Sequence, residues 1–430
     1  MFKLLKNVAR FLSPLLLACS LAGGAGAQDR SLDYPRIATY GPGTATTGEP
    51  LIVNGVYDST LCRALSRFSL FCLGADPMYS QYPALPTTLK AMNPQNKVIC
   101  YDLCGFMYLG PDWVPNSPTF FVRKKWDAIN ENASLNYIWG TDNQLWFDNW
   151  NVNLGNAALV DDLLVLWKQI VQSGKFDGIL LDCFNVNIAW TNGGSGRTID
   201  FARAGYADGA AMDAAFKTQC ERIVNELRAV APAGFLIIAN GTPQLMTLDG
   251  WLREGVMNGL WAEAQAVAFT DTVSAPRTWS KREMFASPFT TQSARLASIH
   301  LGINSLGSAY TFLGPDTQYQ YQPYLGTWFY DEYSVNRSTG MADTSAAGVG
   351  WLGQPTGRYV QLPNGLYYRD FTYGRIYVNN TSGVLTHDSQ VYYQRIKGRI
   401  DPSRNNGKRY RYHVVQPNTA LFLLRRPRGY

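Results

Sequence analysis

The segment Lys175-Phe176-Asp177-Gly178-Ile179-Leu180-Leu181-Asp182 is an apolar run that opens on a glycine and stops on a carboxylate. A strand buried on both faces reads as an uninterrupted apolar run, and such strands belong to parallel sheets covered by helices. An acid at the C-terminal end of one leaves the core where barrels and open α/β sheets carry their chemistry. Asp182 is therefore the first catalytic candidate. The preceding stretch, residues 156–173, has Leu159, Leu163, Leu166, Trp167 and Ile170 at helical spacing, with Gly174 placed to end a helix. Helix, short loop, strand and terminal acid make one αβ unit.

The same alternation extends along the chain. Strand-like runs are expected at 36–40, 68–73, 98–103, 145–147, 176–182, 235–240, 259–263, 283–286 and 308–312, with helical patterns at 212–230 and 291–304. About eight parallel strands with helical crossovers predict an α/β fold, a (β/α)8 TIM barrel. Beyond Gly326 the pattern changes to short strands at 359–362, 366–371, 375–378, 410–415 and 420–424, parted by Pro-Asn-Gly, Tyr-Gly and Asn-Asn turns. This predicts a small antiparallel β domain. The expected division is a leader over 1–27, the barrel over 28–325 and the β domain over 326–430.

The leader reading rests on Lys3, Lys6 and Arg10, an apolar run over 11–22, and the small-x-small pattern Ala25-Gly26-Ala27. It implies an exported protein, secreted or periplasmic. The alternative takes Leu16-Leu17-Ala18-Cys19-Ser20 as a lipoprotein box, with a lipid on Cys19 as the membrane anchor at the cell surface. Removing the leader takes the net charge from +6 to +3, too near neutral for a nucleic-acid binder. Ten Lys or Arg against Asp401 alone lie from Arg395 onward, read as a solvated basic strand pair protecting a sheet edge, with an anionic polymer contact as the rival. Six cysteines outside the leader suit disulfides in an exported chain, with Cys100/Cys104 and Cys183/Cys220 as the first pairs to consider. His300, His387 and His413 are scattered, so neither a metal nor a cofactor is expected, and His300 reads as structural.

Strand alternation brings Asp182, Asn240 and Glu263 to the ends of three consecutive strands, hence to one mouth of the barrel. Two carboxyl groups flanking a glycosidic bond are what its hydrolysis requires, one protonating the leaving oxygen and the other acting as nucleophile or activating water. Asp182 is assigned as nucleophile or base and Glu263 as acid, with the roles open to exchange; Trp261 is the apolar neighbour that would raise the acid's pKa. Tyr101, Asp102, Trp139 and Tyr310 are candidates for a sugar platform, Asn185 and Asn240 for polar contacts to substrate. Each has a structural alternative: a loop cap for Asp182, an ion pair for Glu263, a turn for Asn240, core packing for the aromatics. The chain has no Gly-x-Ser-x-Gly elbow and no P-loop, and Gly193-Gly194-Ser195-Gly196 reads as a flexible loop over the site.

The run Phe176–Asp182, the later Asn258-Gly259-x-x-x-Glu263, Leu352-Gly-Gln-Pro-x-Gly, and Tyr368-Arg369-Asp370-Phe371-x-x-Gly374-x-x-x-Val378-Asn379 resemble the hypothetical glycosyl-hydrolase-like families of bacteria, most nearly the one numbered fifteen. The similarity runs in motif order from about residue 95 to 385. It implies a TIM barrel with a small C-terminal β domain and Asp182 and Glu263 as the acidic pair. Cys183-Phe184 stand where a polar residue is expected after the acid, with Asn185 as the candidate to replace it. The leading expectation is an exported glycosidase acting on a polysaccharide or envelope glycan. Its alternatives are a barrel that binds glycan without cleaving it, and a surface or structural protein with its acids in salt bridges.

Overall fold

The computed structural model describes residues 33–40, 52–53, 56–57, 62–63, 65–74, 84–107, 121–145, 150–242, 248–253, 277–280, 291–307, 309–312 and 329–426. All of them belong to one compact unit, Ser31–Tyr430. Eight short strands are hydrogen-bonded in parallel: β1 (Ile37–Tyr40), β2 (Leu70–Gly74), β3 (Lys97–Leu103), β4 (Gly178–Asn185), β5 (Leu236–Thr242), β6 (Gly250–Arg253), β7 (Arg277–Ser280) and β8 (Ala309–Phe312). They follow one another around the sheet in chain order, and β1 pairs with both β2 and β8, so the sheet closes. Described helices lie in four of the connections: α1 (Leu85–Met92), α2 (Phe121–Glu131) and α3 (Ala157–Gln172) on either side of β3, α4 (Gly209–Val230) after β4, and α5 (Thr291–Leu306) before β8.

The β4 segment shows how the sequence builds this. Ile179 and Leu181 join the large core formed with α3 and α4, whereas Leu180 joins an inner cluster with Ala38, Leu70, Cys72, Ile99 and Ile238. The period of two therefore turns Asp182 to the inner side of the sheet. Gly178 is required at the start, because a Cβ there would lie 2.6 Å from the Leu236 carbonyl and 2.9 Å from Ile99. Asp177 at the opposite end is structural: it accepts from Val98 N at 2.9 Å and from Lys90 at 2.8 Å. Asn156 caps α3 by accepting from Ala158 N, and Gly174 follows its end at φ +69°.

The strand does not stop on Asp182. It continues through Asn185 over a bulge, with a register shift between Leu181 and Phe184 and Cys183 at φ +55°. The runs expected at 259–263 and 283–286 lie outside the described residues; the sixth and seventh strands that are described pair at Gly250–Arg253 and Arg277–Ser280. Both are four residues long and carry polar groups, too little for a period to show. Of 145–147, Leu145 forms a single bridge to Trp139, and 146–147 lie outside the described residues.

The second sheet is antiparallel, in the order β9 (Val360–Gln361), β10 (Tyr367–Phe371), β11 (Gly374–Asn379), β14 (Thr419–Arg425), β12 (Leu385–Arg395), β13 (Arg409–Val415). The sequence pattern omits β12, whose polar residues and bulge between Asp388 and Tyr393 break its alternation. One face of this sheet packs on α5: Ala294, Ala297 and Leu301 share a core with Ile376, Val378, Ala420 and Phe422. A Cβ on Gly302 would lie 2.4 Å from Ala420 Cβ, so glycine sets the close approach of helix to sheet. His300 is buried on α5. Of the basic tail, Lys408, Arg409 and Arg411 are exposed at and beside edge strand β13, while Arg404 turns inward to Glu332 and Arg426 binds the Arg337 carbonyl. Among the described residues no helix is long and apolar enough to cross a membrane.

Candidate active site

Asp182 lies in the C-terminal half of β4, at its bulge, and its carboxylate is held from three directions. Oδ2 accepts from the Tyr101 hydroxyl of β3. Oδ1 accepts from Asn240 Nδ2 of β5 at 2.7 Å and from Cys183 N at 2.8 Å. These donors match the acceptor-only character of a carboxylate, and they fix its plane between the two neighbouring strands. Pairing explains the meeting: Leu103 lies opposite Asp182, so the inward Tyr101 of β3 sits one step below and reaches up, while Leu180 pairs with Ile238 and brings Asn240 alongside.

The backbone of the acid is anchored as well. The Asp182 carbonyl accepts from Cys104 N at 3.0 Å, Gly105 N at 3.3 Å and Cys104 Sγ at 2.9 Å. A Cβ on Gly105 would come within 2.0 Å of the Cys183 carbonyl, so only glycine lets β3 and the bulge approach this closely. Cys220 Sγ donates to the Asn185 carbonyl at 3.5 Å. Cys104 and Cys220 are thiols, so neither Cys100/Cys104 nor Cys183/Cys220 is bridged; their sulfurs serve as donors that hold β4 past its bulge. Burial pushes the Cys104 and Cys220 thiols up, which suits them to structure rather than to nucleophilic chemistry. Cys72 was not singled out from sequence. It belongs to the inner cluster beneath the carboxylate, its thiol pushed well up first by burial and then by Cys100 and Asp182.

Asp102 departs from expectation. It faces the helices, not the mouth: Lys125 Nζ of α2 donates to both of its oxygens at 3.1 Å, and Trp167 Nε1 of α3 donates at 2.7 Å. Lys125 also donates to the Leu103 carbonyl at 2.6 Å. Tyr101 and Asp102 are adjacent on one strand, so they cannot both face inward. Trp139 is not an open platform either, because the Arg203 guanidinium covers its ring at 3.7 Å and its N–H donates to Ala133 O. Asn185 lies beyond the bulge, its amide 3.4 Å from the Cys183 carbonyl. Tyr310 occupies β8 in register with Thr278. Glu263 and Trp261 lie outside the described residues, in the chain between β6 and β7. Gly193–Gly196 is a tied turn, with Gly193 N bonded to Arg197 O at 2.9 Å. Among the described residues no group of three or more His, Cys, Asp or Glu could hold a metal ion.

No curated protein matches the chain in sequence. Among solved structures it is similar to a mutant of a trehalulose synthase in complex with Tris, with TM-score 0.51 and 9% identity over 92% of this chain and 99% of that one. It is also similar to Eubacterium rectale Amy13B, with TM-score 0.49 and 10% identity over 94% and 99%, and to an α-amylase from Geobacillus thermoleovorans complexed with acarbose, with TM-score 0.45 and 12% identity over 91% and 98%. At such identities the likeness concerns the fold alone. The model of the hypothetical glycosyl hydrolase family 15 matches residues 90–375, from the end of α1 through β3 and β4 into β11, and the chain belongs to that family.

Proposed function

We propose that this protein is an exported glycoside hydrolase on a (β/α)8 barrel, cleaving glycosidic bonds of a polysaccharide or envelope glycan with Asp182 and Glu263 as its carboxyl pair. The observation that carries the reading is the inward Asp182 carboxylate in the C-terminal half of β4, addressed by Tyr101, Asn240 and Cys183 N. A carboxylate to which three donors already point is built to accept and not to give a proton. That is the part of the nucleophile, which forms a glycosyl-enzyme bond, or of the base, which takes a proton from the attacking water. The proton delivered to the leaving oxygen then comes from a second carboxyl group, the role of Glu263. Within the eight strands the acids are Asp102 and Asp182, and Asp102 is consumed by Lys125, so the second group belongs to a connection between strands. The reaction needs no metal or cofactor. The leader over 1–27 takes the protein across a membrane, with lipidation of Cys19 as the alternative outcome, and the barrel over 28–325 carries the β domain over 326–430.

The test is hydrolysis of a panel of exopolysaccharides and cell-wall glycans by the purified protein beside folded Asp182→Asn and Glu263→Gln variants. Turnover that disappears in both variants is the expected result. Turnover that survives both changes removes this pair; glycan binding without any turnover favours a barrel that binds its glycan and leaves it intact.

A further inference from the structure

The loop that follows β4 carries a feature that neither the family nor the carboxylate accounts for. Trp190 is 70% exposed, more than any other large apolar side chain among the described residues. It sits in the middle of a 3-10 turn, Ala189–Thr191, only eight positions beyond Asp182. An exposed indole is often an accident of a loose loop. This turn is built. Asp213 of α4 accepts from both Ile188 N and Ala189 N, at 2.8 and 2.9 Å. The buried Thr191 hydroxyl donates to the Ile188 carbonyl at 2.7 Å, and Asn192 Oδ1 accepts from Ile199 N at 2.9 Å. A Cβ on Gly209 would lie 2.9 Å from Ala189 Cβ, so the turn is seated directly on the first residue of α4.

The far side of the loop is fixed as well. Arg197 pairs with Asp142 through two hydrogen bonds of 2.8 and 2.9 Å, and Thr141 N donates to Thr198 O at 2.9 Å. Between these anchors Gly193 and Gly196 stand at φ +85° and +73°, and a Cβ at either position would meet nothing within 4 Å. The sequence thus fixes the backbone that carries one large flat ring, leaves that ring in water and keeps side chains off the backbone beside it. A tryptophan on a fixed backbone has only two side-chain torsions left to order, and an amphipathic ring suits a ligand that has an apolar face and a polar rim. The C–H face of a pyranose, edged by hydroxyls, is such a ligand.

We propose that Trp190 is a sugar-stacking subsite on the same end of the barrel as Asp182, and that its ligand is a glycan chain. Eight residues span at most roughly 28 Å when fully extended, which bounds the distance from Asp182 to the ring. One extended glycan can occupy both. The ligand class rests on the glycosidase reading; the existence of the platform does not.

The experiment measures binding of maltoheptaose, cellohexaose, chitohexaose and soluble xylan by calorimetry to the full chain carrying Asp182→Asn, which keeps the ligand intact, with and without Trp190→Ala and Trp190→Tyr. Melting temperatures are compared to establish folding, and hydrolysis by the Asp182 parent is followed separately. The expected result is affinity for at least one glycan that falls tenfold or more in Trp190→Ala and stays within threefold in Trp190→Tyr. Equal affinity in all three proteins overturns the platform, even where the parent hydrolyses that glycan, and so does a failure of the full chain to bind any of the four. A Trp190-dependent affinity in a protein that hydrolyses nothing supports the platform and removes the glycosidase reading instead.

Discussion

At the scale of single residues, two neighbours on β3 do opposite work. Tyr101 faces inward and donates to Asp182; Asp102 faces outward and is locked by Lys125 and Trp167. Removing the hydroxyl in Tyr101→Phe deletes one hydrogen bond to a charged group, worth about 1.5–3 kcal/mol. A drop in kcat/KM of about 10- to 100-fold with little change in melting temperature is expected if that bond orients the reacting carboxylate. Lys125→Met has the reverse signature. It strands a buried carboxylate and costs about 3–5 kcal/mol of stability, and Lys125→Met with Asp102→Asn recovers much of that in urea unfolding. The inward direction of Asp182 was legible, because Ile179-Leu180-Leu181 alternates between the helical and the inner core. The donor set around it was not. It depends on the offset between β3 and β4 and on the Cys183 bulge, and neither leaves a mark in composition or period.

Among elements, the long ones declared themselves. The helix expected at 156–173 is found at Ala157–Gln172 with its asparagine cap and terminal glycine, since a broad apolar stripe and both end signals agree. The four-residue strands β6 and β7 are not legible in the sequence because nothing so short has a pattern of its own; their position is set by pairing with β5 and β8. The Tyr368-Arg369-Asp370-Phe371 motif is explained at this scale. Buried Arg369 donates to the carbonyls of Ser305, Leu306 and Gly307 at the C-terminal end of α5 and to Gly357 O at 3.0 Å, satisfying helix-end acceptors with a cation where the helix dipole is negative. Arg369→Ala leaves those carbonyls buried without this donor. A loss of about 2–4 kcal/mol in urea unfolding is expected. Arg369→Lys recovers only part of it, because an ammonium cannot span the helix end and Gly357 as the planar fork does.

Across the whole molecule, the closed parallel sheet and the antiparallel sheet share the core around α5, and the second sheet sets an acid limit on stability. His413 is buried between β12 and the sheet interior, and its pKa is pushed down to about 4, by burial first and then by Arg395 and Arg375; His387 is lowered as well, again chiefly by burial. A histidine that stays neutral in the fold but protonates near 6.5 when unfolded contributes its full stability above about pH 6.5, and this is lost as pH falls toward 4. The size is roughly 3 kcal/mol or less for His413. Unfolding free energy is therefore expected to fall between pH 7 and pH 4.5, and by less in His413→Gln. A flat profile would contradict the burial of a neutral ring there. The central claim, that Asp182 performs the chemistry of this molecule, is tested most directly by the turnover of Asp182→Asn on the first glycan found to be hydrolysed, in protein whose melting temperature matches the parent. A fall of roughly a thousandfold or more is the predicted result. Turnover equal to that of the parent would contradict it and leave the carboxylate as a structural group of β4.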